Sequence, residues 1–264
     1  MRVGFATDIG MCRKNNEDSL FVDKEKRLYI IADGMGGRQA GEVASKLAVN
    51  LIRQELEKRL SNGDENPAEA IRTAIALVNR KIYSKAQTHP ELKGMGTTVV
   101  VGVIRNGKLA LGHVGDSRGY LVRDGKILQL TKDHSLVQTL IDSGKNTKAE
   151  AKKHRHRNVL TRVLGLKPTV LVDIKEVPLK RGDKILLATD GLFGLLEEPE
   201  ILSVVGRYRF SLQKTCEILI RKVLARGAPD NTTAILVHYN RWRNYIPGGW
   251  IQRAFSLSHK ILAA

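Results

Sequence analysis

Cysteine is scarce in this chain: Cys12 and Cys216 are its only two, far apart and with no further Cys or His at metal-ligand spacing. A disulfide framework and a zinc ribbon are both excluded, and reduced thiols are expected. Long apolar runs are missing too. The longest, such as Thr97 to Ile104, fall well short of the ~18 residues that a bilayer crossing needs. The opening segment MRVGFATDIG lacks the charged and apolar regions of a secretion signal, so a cytoplasmic location is expected. Aromatic residues make up only 5% and no nucleic-acid-binding motif accompanies them, which leaves little to stack on bases. Acids are outnumbered, 27 Asp+Glu against 44 Lys+Arg for a net charge of +17. The basic residues are spread along the chain, which reads as a solvated basic surface with no specific nucleic-acid partner. Hydrophobic residues nonetheless reach 42% of 264, enough for a packed core, and no internal repeat divides the chain before residue 240.

What is present first is strand-like sequence, in runs at 3–9, 19–22, 27–32, 97–104, 109–114, 119–122, 126–130, 184–189 and 232–238. Asn106-Gly107 and Asp124-Gly125 each join two such runs and tolerate the positive φ angles of two-residue hairpins, so the sheet is expected to be largely antiparallel. Helical periodicity lies between the clusters. From Glu42 to Leu60, the residues Val43, Leu47, Leu51, Leu56 and Leu60 form one apolar stripe. A second helix starts at an Asn66 cap with Pro67 and Glu69 behind it and buries Ile71, Ala74, Ile75, Val78 and Ile82. A third is expected from Ser211 to Ala225. Strand clusters separated by helix pairs predict an α+β fold with helices packed on antiparallel sheets.

Two regions depart from this pattern. Between Gly144 and Gly165 seven basic residues (Lys145, Lys148, Lys152, Lys153, Arg155, Arg157, Arg162) face one acid, Glu150, as expected of a surface insertion. After Asn240 the chain has four basic residues and no acid, with a Pro247-Gly248-Gly249 break before an amphipathic stretch. This tail, 241–264, would suit either a lipid surface or docking onto the domain itself or a partner.

The carboxylates that stand out lie at strand ends beside small residues. Asp33-Gly34, Asp190-Gly191 and Gly115-Asp116 each follow a strand-like run, and Asp230-Asn231 precedes one. Short acids on rigid strand ends can converge on a hard divalent cation, and an adjacent glycine lets a backbone carbonyl approach as well. Each pair alone equally marks a turn, as Asp124-Gly125 does.

The contexts of these acids carry a resemblance. Arg13-Lys14-Asn15-Asn16-Glu17-Asp18-Ser19, then Ala32-Asp33-Gly34-Met35-Gly36-Gly37 and Ala40-Gly41-Glu42-Val43-Ala44-Ser45, resemble the opening motifs of the metal-dependent Ser/Thr protein phosphatases of type 2C, in their bacterial form. Gly94-Met95-Gly96-Thr97-Thr98, His113 to Arg118, Thr131 to Val137, Asn158 to Arg162, Thr189-Asp190-Gly191-Leu192 and Asp230-Asn231-Thr232-Thr233 are similar to that family's later motifs, in order. The resemblance implies a central antiparallel β-sandwich flanked on both faces by helix pairs, four layers αββα, with a flap at about 140–165 in a catalytic domain of residues 1–240. It implies two Mn²⁺ or Mg²⁺ ions per active site and a third where Asp116 joins Asp190. Asp33 would bridge two metals, the Gly34 carbonyl would take one of them, Asp190 and Asp230 would complete the other, and Glu17 and Asp18 would hold metal-bound waters. Arg13 would grip the substrate phosphate.

The implied reaction is hydrolysis of phosphoserine and phosphothreonine in proteins by direct attack of a metal-bridging hydroxide, opposing a bacterial Ser/Thr kinase, by a chain acting as a monomer. Met35 stands where many eukaryotic relatives carry a His that serves the leaving oxygen. The flap residues Lys152, Lys153, Arg155 and Arg157 would sit near incoming substrate and favour phosphosites with acidic neighbours. The competing readings are a narrow phosphatase of an anti-sigma-factor antagonist and, in a different class, a non-catalytic phosphoprotein-binding module. His134 is expected to be a hydrogen-bonded structural residue, and His154 and His156 to be solvated.

Overall fold

The computed structural model describes residues 1–36, 40–61, 65–206 and 211–240, so the expected tail, 241–264, lies outside the described residues. Strand β1 (Arg2–Asp8) belongs to a sheet whose order is β1, β11 (Thr232–His238), β10 (Lys184–Ala188), β7 (Arg118–Arg123), β8 (Lys126–Gln129). The second sheet runs β2 (Asp18–Asp23), β3 (Leu28–Met35), β5 (Val99–Arg105), β6 (Lys108–Val114), β9 (Asp173–Pro178), with the two-residue β4 (Gly96–Thr97) on the end of β3. Every pairing is antiparallel. The two hairpin turns form as expected, with φ of 50° and 76° at Asn106 and Gly107 and of 50° and 71° at Asp124 and Gly125.

Period-two alternation turns these strands into four layers. Tyr29 and Ile31 of β3 meet Ile185 and Leu187 of β10 and Ile235 and Val237 of β11 between the sheets. Ile30 and Ala32 point the other way, under α1 (Ala40–Leu60) and α2 (Pro67–Thr88). On the opposite face, Leu186 and Ala188 pack under α5 (Asp190–Phe193), α6 (Glu198–Val205) and α7 (Leu212–Leu224). The αββα sandwich is therefore the observed architecture. Its flap holds two short helices, α3 (Leu136–Asp142) and α4 (Lys148–Lys153), the second opened by a Thr147–Glu150 capping box.

Three sequence expectations need correction. Of the stripe expected on α1 only Leu56 reaches the deep face, beside Ala44, Ser45, Ala48 and Ile52; Val43, Leu47, Leu51 and Leu60 are partly buried against the core. Small residues let the helix lie close on β3, and the leucines seal its flanks. The run from Thr97 to Ile104 is two strands, β4 and β5, interrupted at Thr98, whose side chain is bonded to the Asp33 N–H and to Ser117. Strand β9 was not anticipated at all: its Lys175 and Glu176 are exposed and it ends in Pro178, so it lacks a continuous apolar face.

Candidate active site

All the carboxylates singled out in the sequence meet at one end of the sandwich. Asp18 begins β2, Asp33 lies opposite it near the end of β3, Asp116 occupies the β6–β7 turn, Asp190 opens α5 just after β10, and Asp230 stands just before β11. Both sheets therefore contribute. Two glycines make the approach close enough: a Cβ on Gly34 would lie 2.1 Å from the Gly41 carbonyl oxygen, and one on Gly191 would lie 2.0 Å from that of Asn231. Gly34 thus lets the start of α1 down onto β3, and Gly191 lets α5 down onto the approach to β11.

Hydroxyl and amide side chains hold the acids in place. Thr97 Oγ1 donates to the Asp33 carbonyl at 2.8 Å, while Thr98 Oγ1 accepts the Asp33 N–H at 3.0 Å and shares a 2.7 Å hydrogen bond with Ser117. Asp18 Oδ2 accepts from Thr189 Oγ1 at 2.8 Å and from Thr233 Oγ1 at 2.6 Å, a bond pair that ties one sheet to the other. Asn231 clamps the loop before β2: its Oδ1 accepts the Glu17 N–H at 2.8 Å, and its Nδ2 donates to the carbonyls of Ile9 and Asn15. Thr189, Thr233 and Asn231 escaped sequence reasoning about roles, since Thr beside a strand reads as β-propensity and Asn beside Asp as a turn. Their place inside motifs with Asp190 and Asp230 was the available signal.

The electrostatics are those of acids crowded together away from water. Burial raises Asp33 well above the ordinary carboxylate range, and the charges of Asp18, Asp190, Asp116 and Asp230 add to it. Burial likewise lifts Asp190, helped by Asp230, and pushes Asp116 up to about 8, helped by Asp190. Asp18 is pushed up to about 7 by burial, against the two threonine hydroxyls that favour its charged form. Glu17 is raised by burial, with the charge of Arg13 opposing. Arg13 reaches into this cluster, its Nη2 donating to Asp230 Oδ2 at 2.7 Å.

A cleft of about 780 Å³ opens beside Asp116 and Asp190, walled by α4 of the flap on one side and by Phe193, Glu197 and Glu198 on the other. Lys152, Lys153 and Arg157 line it, whereas Arg155 is exposed elsewhere on the flap. Lys152 is not a free cation, because its Nζ bridges both carboxylate oxygens of Glu197 at 2.5 Å. Arg118 braces the cleft floor, donating to both oxygens of Asp133 with its guanidinium 3.9 Å over the Phe193 ring. His134 has both ring nitrogens engaged, as expected of a structural residue, and Met35 is exposed at 37%.

Residues 13–226 match the family described as Protein phosphatase 2C. A serine/threonine phosphatase Stp of Listeria welshimeri is 37% identical over 244 residues, 91% of this chain and 96% of that one. The crystal structure of the Mycobacterium tuberculosis serine/threonine phosphatase PstP/Ppp superposes with a TM-score of 0.83 at 36% identity, covering 91% of this chain and 99% of that one. The catalytic domain of a serine threonine protein phosphatase PstP, solved in complex with two manganese ions, gives 0.78 at 34%, covering 91% and 98%. A family match over most of the chain, with relatives more than a third identical across nine-tenths of it and the same helix-flanked double sheet, places the chain in the protein phosphatase 2C family. Its enzymatic class follows: it is a protein-serine/threonine phosphatase, a phosphoric monoester hydrolase.

The residues present suit the divalent cations that such a family implies. The donors are all oxygen, four closely placed carboxylates, Asp18 buried and the others partly buried, repel one another, and Asp18 Oδ1 is buried with no hydrogen-bond partner among the described residues.

Proposed function

We propose that this chain hydrolyses phosphoserine and phosphothreonine in proteins directly, without a phosphorylated enzyme intermediate, and opposes a Ser/Thr kinase. In this reading residues 1–240 are the catalytic domain, 241–264 are an appendage, and the observation that carries it is the convergence of Asp33, Asp116, Asp190 and Asp230 from both sheets. Asp33, Asp190 and Asp230, with the Gly34 carbonyl, would hold two Mn²⁺ or Mg²⁺ ions, and Asp116 with Asp190 a third. When bound, such ions supply a water acidic enough to attack phosphorus and positive charge to balance the transferred group.

The chain's own residues do the rest. Arg13 is half-exposed beside Asp230 and presents a planar fork that suits two phosphate oxygens. Glu17 and Asp18 would orient water around the ions, with the Asp18 carboxylate fixed by Thr189 and Thr233. The flap wall supplies Lys153 and Arg157 to the neighbourhood of the phosphosite, and Lys152 when it exchanges Glu197 for a substrate acid; Arg155 is left to longer-range attraction.

The deciding experiment is hydrolysis of p-nitrophenyl phosphate and of a phosphothreonine peptide with Mn²⁺, Mg²⁺ or EDTA, comparing the native chain with Asp190→Asn. Metal-dependent turnover, abolished by EDTA and by the substitution, is expected. No turnover of either substrate under any metal would overturn the reading.

A further inference from the structure

We propose that His134 is a positioning residue: its imidazole locks the Gly115–Asp116 turn to the base of the flap and so fixes the Asp116 carboxylate. The proposal rests on the assignment of Asp116 as a metal ligand. The contacts between His134 and the turn are reciprocal. His134 N–H donates to the Gly115 carbonyl at 2.9 Å, and Gly115 N–H donates to His134 Nδ1 at 3.1 Å. With Nδ1 accepting, the proton of the neutral ring sits on Nε2, which lies 3.2 Å from Asp173 Oδ2. Asp173 Oδ1 in turn accepts from Arg162 Nη1 at 2.6 Å, and Thr161 N–H donates to the His134 carbonyl at 2.8 Å. Arg162 and Thr161 end the flap. A continuous chain of hydrogen bonds thus joins the flap base, the ring and the residue before Asp116.

The ring has no room to turn. His134 is 5% exposed, and the His113 ring stacks on it at 4.6 Å and 15°, itself anchored by Nε2 donating to the Lys132 carbonyl. The turn is equally confined: Gly115 has φ +103°, and a Cβ there would fall 2.6 Å from the Thr98 side chain. The ligand atoms of His113, His134 and Asp173 lie within 4.8 Å of one another, as in a metal site. His134 Nδ1 already accepts from Gly115 N–H, Asp173 Oδ1 from Arg162, and His113 Nε2 donates to the Lys132 carbonyl, so the trio is tied to the turn and the flap base. The group therefore acts as an outer support for Asp116, and loss of such support typically costs 10–100-fold in metal affinity or activity.

The test compares His134→Leu, which removes both ring contacts, with His134→Asn, whose Oδ1 can still accept from Gly115 N–H. Mn²⁺ binding is titrated by calorimetry, and kcat and KM are measured on a phosphothreonine peptide, with thermal unfolding to check folding. In His134→Leu the Mn²⁺ site that Asp116 serves, identified as the one Asp116→Asn removes, is expected to lose about tenfold or more in affinity and kcat to fall with KM unchanged; His134→Asn should recover most of both. Asp173→Ala, at a side chain 39% exposed and so safe for folding, should show a smaller loss of the same kind. A wild-type Mn²⁺ isotherm in folded His134→Leu or in Asp173→Ala, or identical behaviour of the Leu and Asn variants, would overturn the proposal. Asp116→Asn separates the two levels: if it too leaves the isotherm unchanged, the Asp116 assignment itself fails, whereas a lost site there beside an intact one in His134→Leu refutes the positioning role alone.

Discussion

Asp18 shows how one side chain can hold two sheets in register at the reacting end. Its Oδ2 accepts two threonine hydroxyls from the other sheet, and a buried carboxylate stripped of one donor carries the full cost of that loss. Thr233→Val, nearly isosteric, should therefore destabilise the fold by about 1–3 kcal/mol in urea unfolding and lower kcat more than KM. An unchanged midpoint would refute the clasp. His134 makes a second prediction, with a definite sign. Burial depresses its pKa to about 4 in the folded chain, against about 6.5 when unfolded. The unfolded chain thus takes up the proton first as pH falls, so this contribution to stability is whole above pH 6.5 and is lost progressively between 6.5 and 4. His134→Asn, which cannot titrate there, should show a shallower decline of unfolding free energy across that window; parallel declines would refute it. What the sequence made visible at this scale were the acids, because Asp beside Gly at a strand end is a recognisable pattern. The threonines that orient them were hidden, since the partner of a hydroxyl across a sandwich is set by tertiary packing rather than by spacing.

The junctions between elements matter as much as the elements. At the β3–α1 junction, Gly34→Ala would drive a methyl to 2.1 Å from the Gly41 carbonyl, in backbone that cannot yield without lifting α1 off its sheet. Overpacking of this kind costs about 1–3 kcal/mol or more, and here it also displaces Asp33, so both the unfolding midpoint and turnover should drop. The flap gives a milder prediction. Lys153→Glu together with Arg157→Glu should lower kcat/KM several-fold for phosphopeptides with acidic neighbours and little for neutral ones, with the contrast fading at high salt. Equal effects on both peptides would refute the flap's part in recognition. Legibility was uneven among the elements for physical reasons. The runs that became β10 and β11 were readable because a strand buried on both faces is continuously apolar, and α2 because its cap and its buried face both follow simple rules. Strand β9 was not, since half of its side chains face water. The stripe on α1 was misread because close packing selects small residues, which periodicity built on large ones overlooks. The helices α3 and α4 lie in a charged segment whose composition says surface and nothing about shape.

At the scale of the whole molecule, the acidic end works against the fold that holds it. Four carboxylates, Asp18 buried and Asp33, Asp116 and Asp190 partly buried, share one space, and cations that bind only the folded chain would offset that repulsion. At a free metal concentration of about 100 Kd the linkage amounts to about 2.7 kcal/mol, a rise in Tm of roughly 5–10 °C for a domain of this size. Adding EDTA should remove that increment in thermal unfolding, and Asp190→Asn should shrink it; a Tm indifferent to chelation would refute the linkage. One feature of the topology bears on the life of the protein before it is complete. Strand β11 lies between β1 and β10, and it is made after both. While the chain is still being synthesised, β1 waits with an unpaired edge and the sheet that carries Asp190 cannot close, although Asp33, Asp116 and Asp190 have already emerged. Asp230 and Thr233 arrive only with the last described strand. On the proposed assignment, a chain that has not yet made this strand lacks Asp230 and one of the two threonines that hold Asp18, so the site would be complete only once β11 pairs with both β1 and β10.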